Sequence, residues 1–398
     1  MSKKRSFRLF PAYSNRTVLL AALLLTVYGS FMIVSAEMSR SVGDSTVILR
    51  SILKQLIYSG VGVAAMVVIS HTDLLRLRRP LFKTGLIVIT ALLISTRLFG
   101  PLGGAYAWIH FGGFTIQPSE FAKLFEIAYF AKLLGRDEGR ERNRKNFQHL
   151  ILVGLMFFGI VVLIEKDFGS AIVLIGIAYV MLLVSRLPGC ELYRRWMLLL
   201  FIAAIAGAVI LLSPIGTAIL TAILGEGDYR LGRFMASANP FLDPYNTGFH
   251  LIMGLVSFAT GGWFGLGYGQ SIHKFMNFPN PSSDFILPVI VEEMGVLFGF
   301  IPIVVLYALI LLPLVRYSLH MRSERSRLVM VGVFMYFVLH FILNVGGVSG
   351  LIPLTGVPLL LLSSGGTSLI AALASVGLAD SEIVRYNREK ANAASDLR

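Results

Sequence analysis

The sequence predicts an all-α polytopic membrane protein with about ten transmembrane helices and both termini in the cytoplasm. Three observations carry that reading. Of 398 residues 56% are hydrophobic and 14% are charged, a composition too apolar for a water-soluble chain of this length. Apolar runs of about 20 residues, enough to cross a hydrocarbon core, recur from end to end. Finally, 26 of the 35 Lys and Arg fall in 1–17, 72–83, 132–147, 186–195, 316–327 and 380–398, the loops that alternate onto one side, and such basic loops stay inside.

The runs centre near Ala22, Val63, Ile89, Ile127, Leu155, Ile175, Ala203, Val304, Phe337 and Ala371. The first follows a basic stretch and, with later spans behind it, reads as an uncleaved signal anchor. The fourth, SEFAKLFEIAYFAKLL, carries Glu120, Lys123, Glu126 and Lys132, so its placement rests on the alternation of its neighbours. The expected organisation is a basic tail over 1–17, one membrane domain over 18–380 and a second tail over 381–398. A large outer loop separates helices 7 and 8.

A net charge of +13 would point to nucleic acid in a soluble domain. Here it reflects the inside bias and attraction to anionic lipid, and nucleic-acid binding is not expected. The lone Cys190 allows no intrachain disulfide. No His, Cys or carboxylate spacing matches a metal motif, and GLGYGQS lacks the strand and helix context of a dinucleotide loop, so no organic cofactor is expected.

Polar and Gly-rich sequence collects on the predicted outer side, in loops at about 101–119, 213–284 and 346–358. The second is too long and too aromatic for a free loop. It reads as short interfacial helices and turns. The third, GVSGLIPLTGVPLLLLSSGGTS, reads as a broken segment, tolerated at membrane depth only where it is buried in protein or lines a cavity. Trp108 and Tyr106 suit the headgroup belt.

Arg230, Arg233, Lys274, Lys166 and Lys123 supply cations to this side, and Glu120, Lys123 and Glu126 share one helical face, costly against lipid and sensible against a polar cavity. A cationic outer cavity points to an anionic amphiphile such as a lipid-linked phosphate. Bland readings stand beside these. Asp284, after Ser282 and Ser283, is placed to cap a helix, Lys166 and Asp167 to pair with each other, and one of Glu292 and Glu293 to bond a neighbouring helix.

The ordered segments GGAYAWI, IQPSEFAK, EKDFGSA, NPFLDPYNTGFH, GGWFGLGYGQSIHKFMNFPNPSSDFILPVIVEEMG and NVGGVSGLIPLTGVPLLLLSSGGTS resemble the SEDS proteins (shape, elongation, division and sporulation), the FtsW, RodA and SpoVE group. The resemblance covers nearly the whole chain. It implies a peptidoglycan glycosyltransferase that polymerises lipid II at the outer face of the bacterial cytoplasmic membrane, with a class B penicillin-binding protein as partner. By it, the family's essential aspartate falls on Asp284, as general base or acceptor ligand, and Lys123 and Lys166 fall on pyrophosphate-handling positions, with Glu120, Arg233 and Lys274 beside them. Glu292 and Glu293 match a glutamate pair of structural or cavity-tuning role, and Trp108, Asp167, Asn344, Pro353, Gly365 and Gly366 frame the cavity. A divalent cation, magnesium or manganese, would assist the leaving pyrophosphate, though the spacing does not demand one. Where the family usually has an arginine before the tryptophan this chain has Ala107, so one cationic contact is missing. The rival functions are a lipid II flippase or other membrane transporter, which usually shows repeated halves, and a scaffold, which needs no acid in the cavity.

Overall fold

A computed structural model of the chain describes residues 9–41, 46–102, 104–111, 114–211, 216, 240–245, 248–276, 278 and 281–396. Twelve α-helices appear among the described residues: α1 Arg16–Glu37, α2 Thr46–His71, α3 Arg79–Ser95, α4 Pro118–Leu134, α5 Arg140–Ile160, α6 Phe168–Val184, α7 Glu191–Leu211, α8 Phe249–Gly261, α9 Ile286–Gly295, α10 Ile301–His320, α11 Glu324–Val348 and α12 Gly366–Ser395. Each of the ten apolar centres lies inside a helix, and seven helical stretches are by themselves long and apolar enough to cross a membrane. One is the continuous Ile286–His320, in which a π-helical turn over Val296–Phe300 joins α9 to α10.

Local chemistry sets the helix starts. Asn15 caps α1, its side-chain oxygen accepting from the Thr17 and Val18 amides at 3.0 and 3.3 Å, and Asp167 caps α6 through the Ser170 amide at 3.0 Å. These bonds satisfy amide groups that no helix can pair internally. Pro80 and Pro118 stand in the first turns of α3 and α4, where a missing N–H costs nothing.

Of the seven membrane-length stretches α12 has the most enclosed apolar window, and it packs along α2. The contact is close because Gly377 has no side chain: a Cβ there would lie 2.5 Å from the Met66 carbonyl oxygen. The residues expected as a tail after 380 continue α12 to Ser395. The two ends of the chain meet: Asp380 accepts from Ser14 Oγ at 2.8 Å and the Asn15 amide at 3.0 Å, and Asn387 donates to the Tyr13 carbonyl at 3.0 Å. At the same end Arg325 and Arg385 bridge Asp73 and Glu382, joining the α2–α3 connection, the start of α11 and the last turns of α12. The described ends of the chain thus lie at the same end of the bundle.

The loop before α4, expected as plain loop, contains a strand pair. Ile109–Phe111 (β1) and Phe114–Ile116 (β2) pair antiparallel, Ile109 opposite Ile116. The adjacent glycines at 112 and 113 were the available signal for such a hairpin.

The segment after α11 runs without helix from Ser349 to Gly365, buried from Leu359 to Ser363. Its carbonyls find partners on the surrounding helices: Val357 with Asn344 at 2.9 Å, Pro358 with His340 at 3.0 Å and Leu360 with the Tyr307 hydroxyl at 2.7 Å. That is the condition under which irregular backbone survives at membrane depth.

Candidate active site

Asp284 sits at the head of α9, half-buried, with Ser283 Oγ at 3.0 Å from its Oδ1. It does not take the N-cap position, which belongs to Phe285. The Asn344 side-chain amide donates to the Asp284 carbonyl at 3.0 Å. Just upstream, Ser364 N donates to the Ser282 carbonyl at 2.8 Å, Ser363 Oγ to the Ser283 carbonyl at 2.9 Å, and Ser282 Oγ bonds the Glu37 carboxylate at the end of α1. The aspartate is therefore carried on a turn fixed from three sides.

Opposite it runs the turn Thr355–Gly356. A Cβ on Gly356 would sit 3.6 Å from Asp284 Oδ2, in ordinary contact with the acid, and its φ of +71° is a backbone that residues other than glycine resist. The far side of that turn meets the start of α6: a Cβ on Gly169 would lie 2.7 Å from the Thr355 carbonyl oxygen and 3.5 Å from Asp167 Oδ1. Asp284 and the Lys166–Asp167 corner thus flank one short turn.

That corner is unusual in backbone terms. A π-helical turn over Val161–Glu165 closes α5, and Lys166 follows in the left-handed region at φ +57°, a strained choice for a residue with a side chain. Its ammonium is exposed and lies 5.9 Å from the Tyr106 ring centre, with the Arg97 guanidinium over the same ring at 3.9 Å. Lys166 and Asp167 do not pair. Asp167 is committed to its cap and to Gln117 Nε2 at 2.9 Å.

Lys123 lies deeper and is 1% exposed. Its ammonium meets Glu120 Oε1 at 2.7 Å, His340 Nε2 at 3.3 Å and Ser170 Oγ at 3.5 Å, while Tyr336 donates to Glu120 Oε2 at 2.9 Å. The expected polar face of α4 is real, but it points into protein. In this conformation Lys123 contacts Glu120 and not an open cavity. Glu126 is buried too, and its two oxygens have no hydrogen-bond partner among the described residues.

Lys274 requires a correction. Expected as an outer helper for pyrophosphate, it is buried and bonded to Glu293 Oε1 at 2.6 Å and Ser35 Oγ at 3.0 Å. The ammonium is neutralised inside the fold. Glu293 also accepts from the Gly269 amide at 3.0 Å, and Glu292 accepts from Ser271 Oγ and His273 Nδ1, both at 2.6 Å. The two glutamates therefore tie the Gly-rich loop before α9 to the bundle.

Trp108 is half-buried beside the wholly buried Ala107. Pro353 lies in the non-helical segment, Gly365 caps α12, and Gly366 runs so close under Tyr58 that a Cβ would come 2.3 Å from its ring. Arg230 and Arg233 lie outside the described residues. Sequence reasoning missed His340, Tyr336, Ser170 and Gln117. The signal for His340 was available, since a histidine inside an apolar span is rarely idle and it stands one turn before Asn344.

The family model for the cell cycle proteins FtsW, RodA and SpoVE matches residues 15–389. Stage V sporulation protein E of Bacillus subtilis is 32% identical over 381 residues, covering 93% of this chain and 96% of the relative. The peptidoglycan glycosyltransferase RodA of Treponema pallidum is 31% identical, over 91% of this chain and 95% of the relative. Among solved structures, a chain of a peptidoglycan synthase complex that coordinates polymerization and crosslinking has a TM-score of 0.66 at 22% identity, covering 96% of this chain and 99% of that one. Thermus thermophilus RodA has a TM-score of 0.60 at 24% identity, with 94% and 97% covered, and both likenesses establish the fold. With the family model spanning almost its entire length, this multi-pass protein of the bacterial cytoplasmic membrane belongs to the FtsW, RodA and SpoVE family of cell cycle proteins.

Proposed function

We propose that the chain is a peptidoglycan glycosyltransferase that polymerises lipid II into glycan strands at the outer face of the cytoplasmic membrane. The observation that carries the reading is the placement of Asp284: a half-buried carboxylate on a pinned turn, facing Gly356, with the exposed Lys166 ammonium at the corner beyond that turn. The relatives bearing the glycosyltransferase name extend over nearly the same length.

The transfer joins an acceptor 4-hydroxyl to the anomeric carbon of a lipid-linked donor. Asp284 accepts the hydroxyl proton as the new C–O bond forms. The bond from the anomeric carbon to the pyrophosphate breaks, and its electron pair leaves on the pyrophosphate oxygen. Lys166 stabilises that developing charge. Lys123, one turn of α6 away through Ser170, supports the wall from behind. A divalent cation, magnesium or manganese, would assist the departing pyrophosphate as its companion.

The partner in this reading is a class B penicillin-binding protein that crosslinks the strands. What supports it is the likeness to a chain of a synthase complex in which polymerization and crosslinking are coordinated. The test is lipid II polymerisation by purified protein with its cognate penicillin-binding protein, comparing wild type with Asp284→Asn. Strands from the wild type alone support the reading. Strands from both would remove Asp284 from the chemistry, and strands from neither would turn attention to lipid II translocation in vesicles.

A further inference from the structure

Inside the bundle, one side chain joins the two halves of the site. His340 is fully buried on α11, with the Tyr336 ring edge-on at 4.9 Å. Its Nδ1 lies 3.0 Å from the Pro358 carbonyl oxygen and its Nε2 lies 3.3 Å from Lys123 Nζ. A carbonyl only accepts and an ammonium only donates. Nδ1 therefore carries the hydrogen and Nε2 is the acceptor, which fixes one neutral tautomer. A protonated ring would set two cations face to face. The imidazole is thus a two-ended tie between α4, through Lys123 and its partner Glu120, and the segment that Asn344 joins to Asp284 one residue earlier, at Val357.

We propose that His340 is a positioning residue for glycosyl transfer, holding Lys123 and the Pro358 carbonyl at a fixed spacing and so setting the wall opposite Asp284. This rests on the reading of the chain as a polymerase with Asp284 as its base. His340 touches neither substrate nor reacting atoms. It acts through the Val357–Pro358 backbone, whose displacement by a fraction of an ångström would misalign the acid with the acceptor hydroxyl.

Two substitutions separate the ends of the tie. In His340→Asn the amide nitrogen replaces Nδ1 and still serves Pro358, but nothing reaches Lys123. In His340→Gln the amide oxygen reaches Lys123 while the donor to Pro358 is lost. The full chain with its penicillin-binding partner is assayed for lipid II polymerisation. Each variant should lower kcat, measured per folded protein, about tenfold with KM within about twofold of wild type, while the melting temperature falls only by the few degrees that one lost buried hydrogen bond costs. Amide hydrogen exchange gives a second readout: His340→Gln should raise exchange in 357–364, and His340→Asn should not. Wild-type kcat in either variant overturns the proposal. So does a rate loss matched by an equal loss of folded protein, since that is what a merely structural histidine would give. A wild type that makes no strands would instead overturn the polymerase reading and this proposal with it, whereas an Asp284→Asn variant as fast as wild type would leave the polymerase standing and overturn the proposal through its base.

Discussion

Asn344 donates from one side-chain nitrogen to two carbonyls, Asp284 at 3.0 Å and Val357 at 2.9 Å. A single residue of α11 thereby clamps the turn that bears the acid to the segment that faces it. Asn344→Leu keeps the volume and removes both bonds, leaving two carbonyls without their donor at roughly 1–3 kcal/mol each. The expected outcome is a lower melting temperature in detergent together with slower polymerisation. A variant as stable and as active as wild type would show that the clamp is dispensable.

For Asp284 the capping and catalytic roles predict opposite results. Because Phe285 holds the N-cap position, Asp284→Asn should leave the melting temperature within a few degrees while polymerisation falls by about 10²-fold or more, the usual scale for losing a general base. A large stability loss with normal turnover would restore the helix-cap role.

The buried Lys274–Glu293 pair predicts a stability effect with no substrate effect. Lys274→Met strands a buried carboxylate, and breaking such a pair costs roughly 3–5 kcal/mol. Lys274→Met with Glu293→Leu removes both charges and should recover most of that stability, with the KM for lipid II unchanged. A raised KM in the stable double variant would return Lys274 to the substrate.

Lys166 offers a separation of strain from charge. Glycine at this left-handed position relieves a conformation costing about 1–2 kcal/mol in other residues, yet it removes the cation. Lys166→Gly should therefore melt no lower than wild type, while its KM for lipid II rises severalfold. An unchanged KM would take Lys166 out of pyrophosphate binding.

A great deal was legible in the chain itself. The apolar runs located every helix that the ten centres marked, because burial in hydrocarbon is a property of about 20 consecutive residues and needs no knowledge of their neighbours. The interrupted GVSGLIPLTGVPLLLLSSGGTS announced a broken segment for the same reason. Asp284 and Lys166 were identifiable as residues out of place in their surroundings. What the sequence left open was which polar groups meet. Lys274 read as an exposed cation until Glu293 and Ser35, the latter 239 residues away, enclosed it, and Lys123 read as a substrate ligand until Glu120 and His340, 217 residues away, accepted its hydrogen bonds. A carboxylate or ammonium within the membrane must find a partner, but any of several is compatible with the local sequence. Only the packing of α1, α4, α6, α9 and α11 selects among them, since a hydrogen bond depends on tenths of an ångström between helices far apart in the chain, whereas the membrane span depends only on the composition of one.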